Sequence, residues 1–161
     1  MRVKASVRLH QTHAHPYPAH MSAALIAALF FTVALLVTTG YFLLGSVPLL
    51  ILKHDTPLDS RFVRGFFNIY FLAAILTASA AAVSYALAGR VAFSAVAATL
   101  ALLAIIARWK VIPQMDSLRA QIQVSGTDAI PGFRRTHLFA VLVNLAQLAL
   151  IVWSLTTFSL Q

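Results

Sequence analysis

Residues 22–52 read SAALIAALFFTVALLVTTGYFLLGSVPLLIL and contain no Asp, Glu, Lys, Arg or His. Three further stretches share this property: 65–89, 91–107 and 138–161. Each is long enough, or nearly so, to cross a hydrocarbon core that needs about 20 apolar residues per helix. The sequence therefore predicts an all-α fold, a four-helix transmembrane bundle with antiparallel, up-down connections. The predicted spans are about 23–52, 63–87, 91–109 and 135–160.

Composition places the whole chain in the membrane class. Of its 161 residues, 60% are hydrophobic and 10% charged, and the mean hydropathy is +0.85. Soluble domains carry about 25% charged residues. Four spans and their connections use almost the whole length, so we expect one membrane domain over residues 21–161.

The net charge of +8 does not indicate a nucleic-acid-binding protein. The bases flank apolar spans, as they do in cytoplasmic loops, and no nucleic-acid-binding motif accompanies them. The chain has no Cys, which excludes disulfides, thiolate metal sites and cysteine nucleophiles.

Residues 1–20 form a separate basic leader that contains four histidines. Three interpretations remain open: a metal-binding tail, a signal peptide and a disordered leader. The leader is also absent if Met21 is the true initiator, which would leave it untranslated.

The distribution of bases predicts an orientation. Lys53, Arg61 and Arg64 flank the first long loop, whereas Arg90 is the only base in the short turn between spans two and three. The second long loop is flanked by five bases: Arg108, Lys110, Arg119, Arg134 and Arg135. Short loops rich in Lys and Arg stay in the cytoplasm, so we predict N-out and C-out in a bacterial-type inner membrane.

Prolines and alanines predict local features of the spans. Pro48 should kink or break the first helix, and Pro113 should bend the chain before a short amphipathic surface helix over 117–123. Alanines recur every four residues in span two and predict one continuous packing stripe: Ala74, Ala78, Ala82 and Ala86.

Polar side chains give two sets of candidate site residues. Asn68, Asn144 and Gln147 lie within spans, where interhelical hydrogen bonds are the simpler interpretation and a ligand-facing lining is the alternative. A second cluster is predicted at the cytoplasmic helix ends: His54, Asp116, Arg119 and His137. Two histidines on facing helices could hold haem or copper, but no further ligand set supports this, so neither a metal site nor a cofactor is predicted.

No hydrolase, metalloprotease or P-loop motif occurs in the chain. The sequence favours a non-enzymatic membrane protein: a subunit, a scaffold, or a bundle that binds lipids or small molecules. The predicted partners are membrane lipids, including anionic head groups, and a larger complex or homo-oligomer. The alternatives are a small membrane oxidoreductase or oxygenase-like enzyme using the cytoplasmic cluster, and an oligomeric transporter or channel.

The second half of the chain resembles a known family. The segments VIPQMDSLR (111–119) and FRRTH (133–137), followed by Asn144, are similar to an uncharacterised bacterial four-helix membrane family of domain-of-unknown-function type. That family is itself similar to small vertebrate transmembrane proteins with a Phe-x-x-Leu-His motif, in which Leu stands at the position of Thr136. The resemblance extends over about residues 38–152 and includes the glycines and proline of 40–48. It implies an integral membrane protein of unknown biochemical role.

A weaker similarity is to anthrone-oxygenase-like membrane proteins, through the Pro- and Met-containing exit from span three. The Asn-Pro pattern of those proteins is absent here. Neither resemblance supplies a catalytic residue.

Overall fold

Four long helices make up the computed structural model, which describes residues 22–50 and 57–159. The helices are α1 (Ala23–Leu49), α2 (Pro57–Leu87), α3 (Val91–Ser125) and α4 (Ile130–Ser159), with a 3-10 turn at Gly126–Ala129 between the last two. All four are long and apolar enough to span a membrane. No strand occurs within the described residues. The predicted all-α, four-span architecture is therefore confirmed.

The helices pack as a four-sided ring. Each contacts its neighbours in chain order, and α4 closes the ring against α1. Neighbours run antiparallel: Thr32 near the start of α1 meets Tyr85 near the end of α2, and Arg64 near the start of α2 meets Asp116 far along α3. The bundle thus has a loop end, where α1 and α3 end and α2 and α4 begin, and a termini end, where α1 begins, α4 ends and α2 turns into α3.

Local sequence explains two of the helix boundaries at the termini end. The Ser22 hydroxyl accepts a hydrogen bond from the Leu25 amide and caps α1. Helix α2 ends at Leu87, and Gly89, two residues further on, has a φ of 71° that only glycine adopts easily. The Gly89 and Arg90 amides donate to the carbonyls of Ala86 and Tyr85, which is the Schellman pattern.

Helices α2, α3 and α4 extend beyond the predicted spans, whereas α1 ends at Leu49, before its predicted end at about residue 52. Helix α3 continues through Pro113 to Ser125, so the segment predicted as a separate surface helix forms the last turns of α3. Buried Val111 and Met115 hold α3 against the bundle on both sides of Pro113. Helix α1 likewise continues through Pro48 and ends at Leu49. The leader, 1–20, lies outside the described residues.

The alanine stripe of α2 is only partly internal. Ala74 and Ala78 are buried, but Ala86 is exposed, and the inner face passes instead to Ala81 and Tyr85. Four residues advance a helix by about 400°, so an every-fourth row turns about 40° per step around the helix. The continuous stripe predicted from sequence was therefore wrong beyond Ala78.

The core changes composition along the bundle axis. Toward the loop end, in what we call the aromatic half, the interior is built from large rings: Phe42, Phe66, Phe67, Tyr70 and Phe71. Toward the termini end, in the alanine half, it is built from small residues closed by two rings: Ala28, Ala78, Ala81, Ala97, Tyr85 and Phe93.

Candidate functional site

A layer of polar side chains crosses the aromatic half of the bundle. Arg108 on α3 donates to the Asn68 Oδ1 on α2 at 3.2 Å, and the Tyr70 hydroxyl donates to the Gln147 Oε1 on α4 at 3.2 Å. Trp109, which is 70% exposed, stands beside this layer, a typical position for an aromatic anchor at a membrane interface. The 20 residues from Gly89 to Trp109 rise about 30 Å, the thickness of a hydrocarbon core. The Arg108–Asn68 contact beside Trp109 therefore lies at the loop-side edge of the core, whereas Gln147 lies deeper, because it lines the same internal gap as Leu100.

Asn144 is the exception within this layer. It is fully buried, and neither its amide nitrogen nor its oxygen has a hydrogen-bond partner within the described part of the chain. An unpaired buried amide costs about 1–3 kcal/mol. Of the three amides that the sequence singled out, Asn68 and Gln147 thus make interhelical bonds and Asn144 makes none.

The polar layer belongs to two longer inward-facing rows. On α4 one row of buried positions alternates in steps of four and three, with Thr136 and Val141 buried beside it: Phe133, His137, Ala140, Asn144, Gln147, Ile151 and Ser154. On α1 Thr32, Thr39 and Ser46 recur every seven residues and are buried. Alternating steps of four and three keep one face of a helix against its partners. This seven-residue repeat was the signal in the sequence that would have identified Thr39 and Ser46 as interior residues.

Two hydroxyls in these rows bond to their own helices, whereas the buried Thr39 Oγ1 has no hydrogen-bond partner among the described residues. Thr32 donates to the Ala28 carbonyl at 2.8 Å and also meets the Tyr85 hydroxyl at 3.2 Å. Ser46 donates to the Leu43 carbonyl. A narrow internal gap among the four helices, lined in part by Thr39 and Gln147, has no room for a water molecule. The bundle centre is thus closely packed at this level.

The predicted cytoplasmic cluster is distributed over several separate contacts. Asp116 accepts two hydrogen bonds from Arg64, from Nε and Nη2, both at 2.9 Å. His137 is fully buried, with its ring edge-on to Phe67 at 5.1 Å between centroids. Arg119 is half-buried on α3. His54 lies outside the described residues.

Arg64 is the residue that sequence reasoning missed at this site. It lies 52 positions from Asp116, and no local pattern links the two. Because each arginine nitrogen meets a different carboxylate oxygen, the pair is bidentate, the strongest geometry for such a pair. It ties α2 to α3 at the loop end. Among the described residues no three His, Asp or Glu side chains lie close enough together to hold a metal ion.

Two hollows on the outer surface accompany the bases of the loop end. One, of about 450 Å³, lies along α2 and is lined by Arg61, Phe62, Gly65, Phe66 and Ile69. The other, of about 330 Å³, lies between α3 and α4 and is lined by Gln114, Gly132, Arg135, Thr136 and Phe139. Both place an arginine beside apolar side chains.

No protein-family model, curated protein or solved structure matches the chain. The fold and the contacts at the loop end therefore carry the functional argument.

Proposed function

We propose that this protein is a non-catalytic, multi-pass protein of a bacterial-type inner membrane that binds anionic lipids at its loop end. The observation that carries the proposal is the charge at that end. From residue 57 onward the loop end has seven bases: Arg61, Arg64, Arg108, Lys110, Arg119, Arg134 and Arg135. It has three acids over the same range: Asp59, Asp116 and Asp128. The termini end has one base over the same range, Arg90.

One of the three acids is already engaged. Asp116 holds Arg64 in the bidentate pair, and the other bases at this end still outnumber the other acids, six to two. Each base near an anionic membrane surface gains about 1 kcal/mol from it. The same excess favours a cytoplasmic loop end, with both termini outside.

The interior supports a non-catalytic role. His137 is fully buried beside Phe67, where a substrate would have to displace core packing. The Asp116 carboxylate is held by Arg64. Both arrangements are typical of residues that fix helix positions.

Purification in a mild detergent followed by native mass spectrometry tests the proposal. We expect the protein to retain anionic phospholipid in preference to zwitterionic phospholipid of the same chain length. Equal retention of both would contradict it. A stoichiometric protein partner without selective lipid retention would favour the alternative of a complex subunit, and a coloured or metal-containing preparation would favour the enzyme alternative.

A further inference from the structure

We propose that the groove between α1 and α2 at the loop end binds one diacyl anionic phospholipid, with its phosphate on Arg61 and an acyl chain along Phe66 and Ile69. This inference deepens the proposed function and rests on it. It assigns the lipid preference to one site instead of to the basic surface as a whole.

The groove is continuous over a length that suits an acyl chain. The hollow beside Arg61 and Gly65 shares Phe66 and Ile69 with a second hollow of about 110 Å³. That second hollow is also lined by residues of α1 and the next turn of α2: Thr38, Tyr41, Phe42, Tyr70 and Ala73. From Arg61 to Ala73 the helix rises about 18 Å.

Gly65 opens the groove, and stacked rings form its wall. A Cβ at Gly65 would meet no atom within 4 Å, so this position is open. The Phe66 ring stacks on Phe42 at 5.1 Å between centroids. It also fits the notch at Gly45, where a Cβ would come within 2.8 Å of it. The wall is therefore held by packing within the protein before any lipid binds.

Arg61 supplies the charge at the mouth of the groove. Its side chain is exposed and makes no ion pair with any described residue. Arg64, nearly one turn further along α2, is already paired with Asp116. A guanidinium presents two parallel N–H donors to a phosphate, which makes Arg61 the group suited to an anionic head group here.

The acyl chain would follow the apolar floor away from that mouth. Phe62 and Ile69 are 61% and 70% exposed, so the floor faces outward from the bundle. Arg61 lies about two turns of α2 from Asn68, which Arg108 contacts beside Trp109, so its head reaches the interface while the groove runs toward the hydrocarbon core. A phospholipid has the matching arrangement, with a charged head group at one end and apolar acyl chains extending from it.

Native mass spectrometry of the full chain with added phosphatidylglycerol or phosphatidylcholine of matched chains tests the site. For the unaltered protein we expect at least fivefold preferential retention of phosphatidylglycerol. Arg61→Gln should remove that preference, because it deletes the charge and leaves the apolar floor. Gly65→Leu should lower retention of both lipids, because it fills the hollow.

Arg135→Gln is the matched control, since it deletes one base from the hollow on the opposite side of the bundle. It should leave the preference within twofold of the unaltered protein. An equal loss in Arg61→Gln and Arg135→Gln would overturn the site and leave the proposed function standing. Equal retention of the two lipids by the unaltered protein would overturn both. An unchanged melting temperature in detergent shows that each variant is folded.

Discussion

The two halves of the bundle core are packed with side chains of opposite size. In the aromatic half, rings fill the centre: Phe42 contacts Phe67 at 4.8 Å and Tyr70 at 3.9 Å between centroids. In the alanine half, Ala28, Ala78 and Ala81 are each at most 1% exposed, and the helices approach through small side chains. In lipid, van der Waals contact replaces much of the hydrophobic drive between helices, and both solutions maximise it.

The polar groups follow the same division. The aromatic half contains the paired amides, the unpaired Asn144 and the Arg64–Asp116 pair, whereas the alanine half contains mostly hydroxyls bonded to their own helices, such as Thr32. Small side chains leave no space for an interhelical amide. The difference indicates that small side chains set the helix distances in the alanine half and that the amide and charge contacts between helices lie in the aromatic half.

Removing a ring from the aromatic half should have the largest effect on stability. Phe42→Ala deletes a side chain that is 1% exposed and contacts three other rings. We expect a loss of about 3 kcal/mol in the free energy of unfolding, the low end for Phe→Ala, because lipid reduces the transfer term. Denaturation in mixed detergent micelles measures it. Phe30→Ala, at a position 66% exposed, is the control and should change stability by less than about 0.5 kcal/mol.

Enlarging a small residue should disrupt the alanine half instead. Ala81→Leu inserts three carbons at a buried position in the small-residue cluster and should cost about 1–3 kcal/mol. The matched variant is Ala86→Leu, on the exposed side of the same helix, which should be near neutral. If the two variants unfolded at the same denaturant concentration, close packing of this half would be disproved.

Replacing the unpaired amide should not lower the free energy of unfolding, in contrast to the two core substitutions above. Asn144→Leu exchanges a buried group without a partner for an apolar one of similar length, and stability should stay level or rise by about 1 kcal/mol. The same denaturation experiment measures it. A loss of 2 kcal/mol or more would show that Asn144 has a partner in the folded protein.

The smallest expected effect comes from the paired amide. Tyr70→Phe removes the bond to Gln147 and should cost about 0.6 kcal/mol, the average for a hydrogen bond between membrane helices. Tyr41→Phe, on the exposed face of α1, controls for loss of a hydroxyl. A cost above 2 kcal/mol would mean that the amide layer, and not ring packing, dominates the aromatic half.

The sequence predicts the number and type of the helices and how they connect. In a membrane protein, an uncharged stretch of about 20 residues has few structures open to it other than a spanning helix. It does not predict where helices end when polar turns continue into the interface, as the last turns of α3 do after Pro113. The sequence also does not predict which side chains pair across the bundle. The Arg64–Asp116 contact depends on the rotation of α2 against α3, which no local sequence pattern encodes. The inner face of α4 could be predicted from residues spaced in steps of four and three. The inner face of α2 was predicted incorrectly from the row of alanines at every fourth position.

The most direct test of the account is the side of the membrane on which the loop end lies. The chain has no native Cys, so a thiol-reactive label can modify only a cysteine that is introduced. Val124→Cys, at a position 90% exposed near the end of α3, marks the loop end, and Ser159→Cys, at the exposed last position of α4, marks the termini end. Neither change alters the charge.

Labelling intact cells with a membrane-impermeant maleimide should modify Ser159→Cys, whereas Val124→Cys should react only after the membrane is permeabilised. The opposite pattern would place the basic loop end outside, away from the anionic inner surface, and would contradict the account.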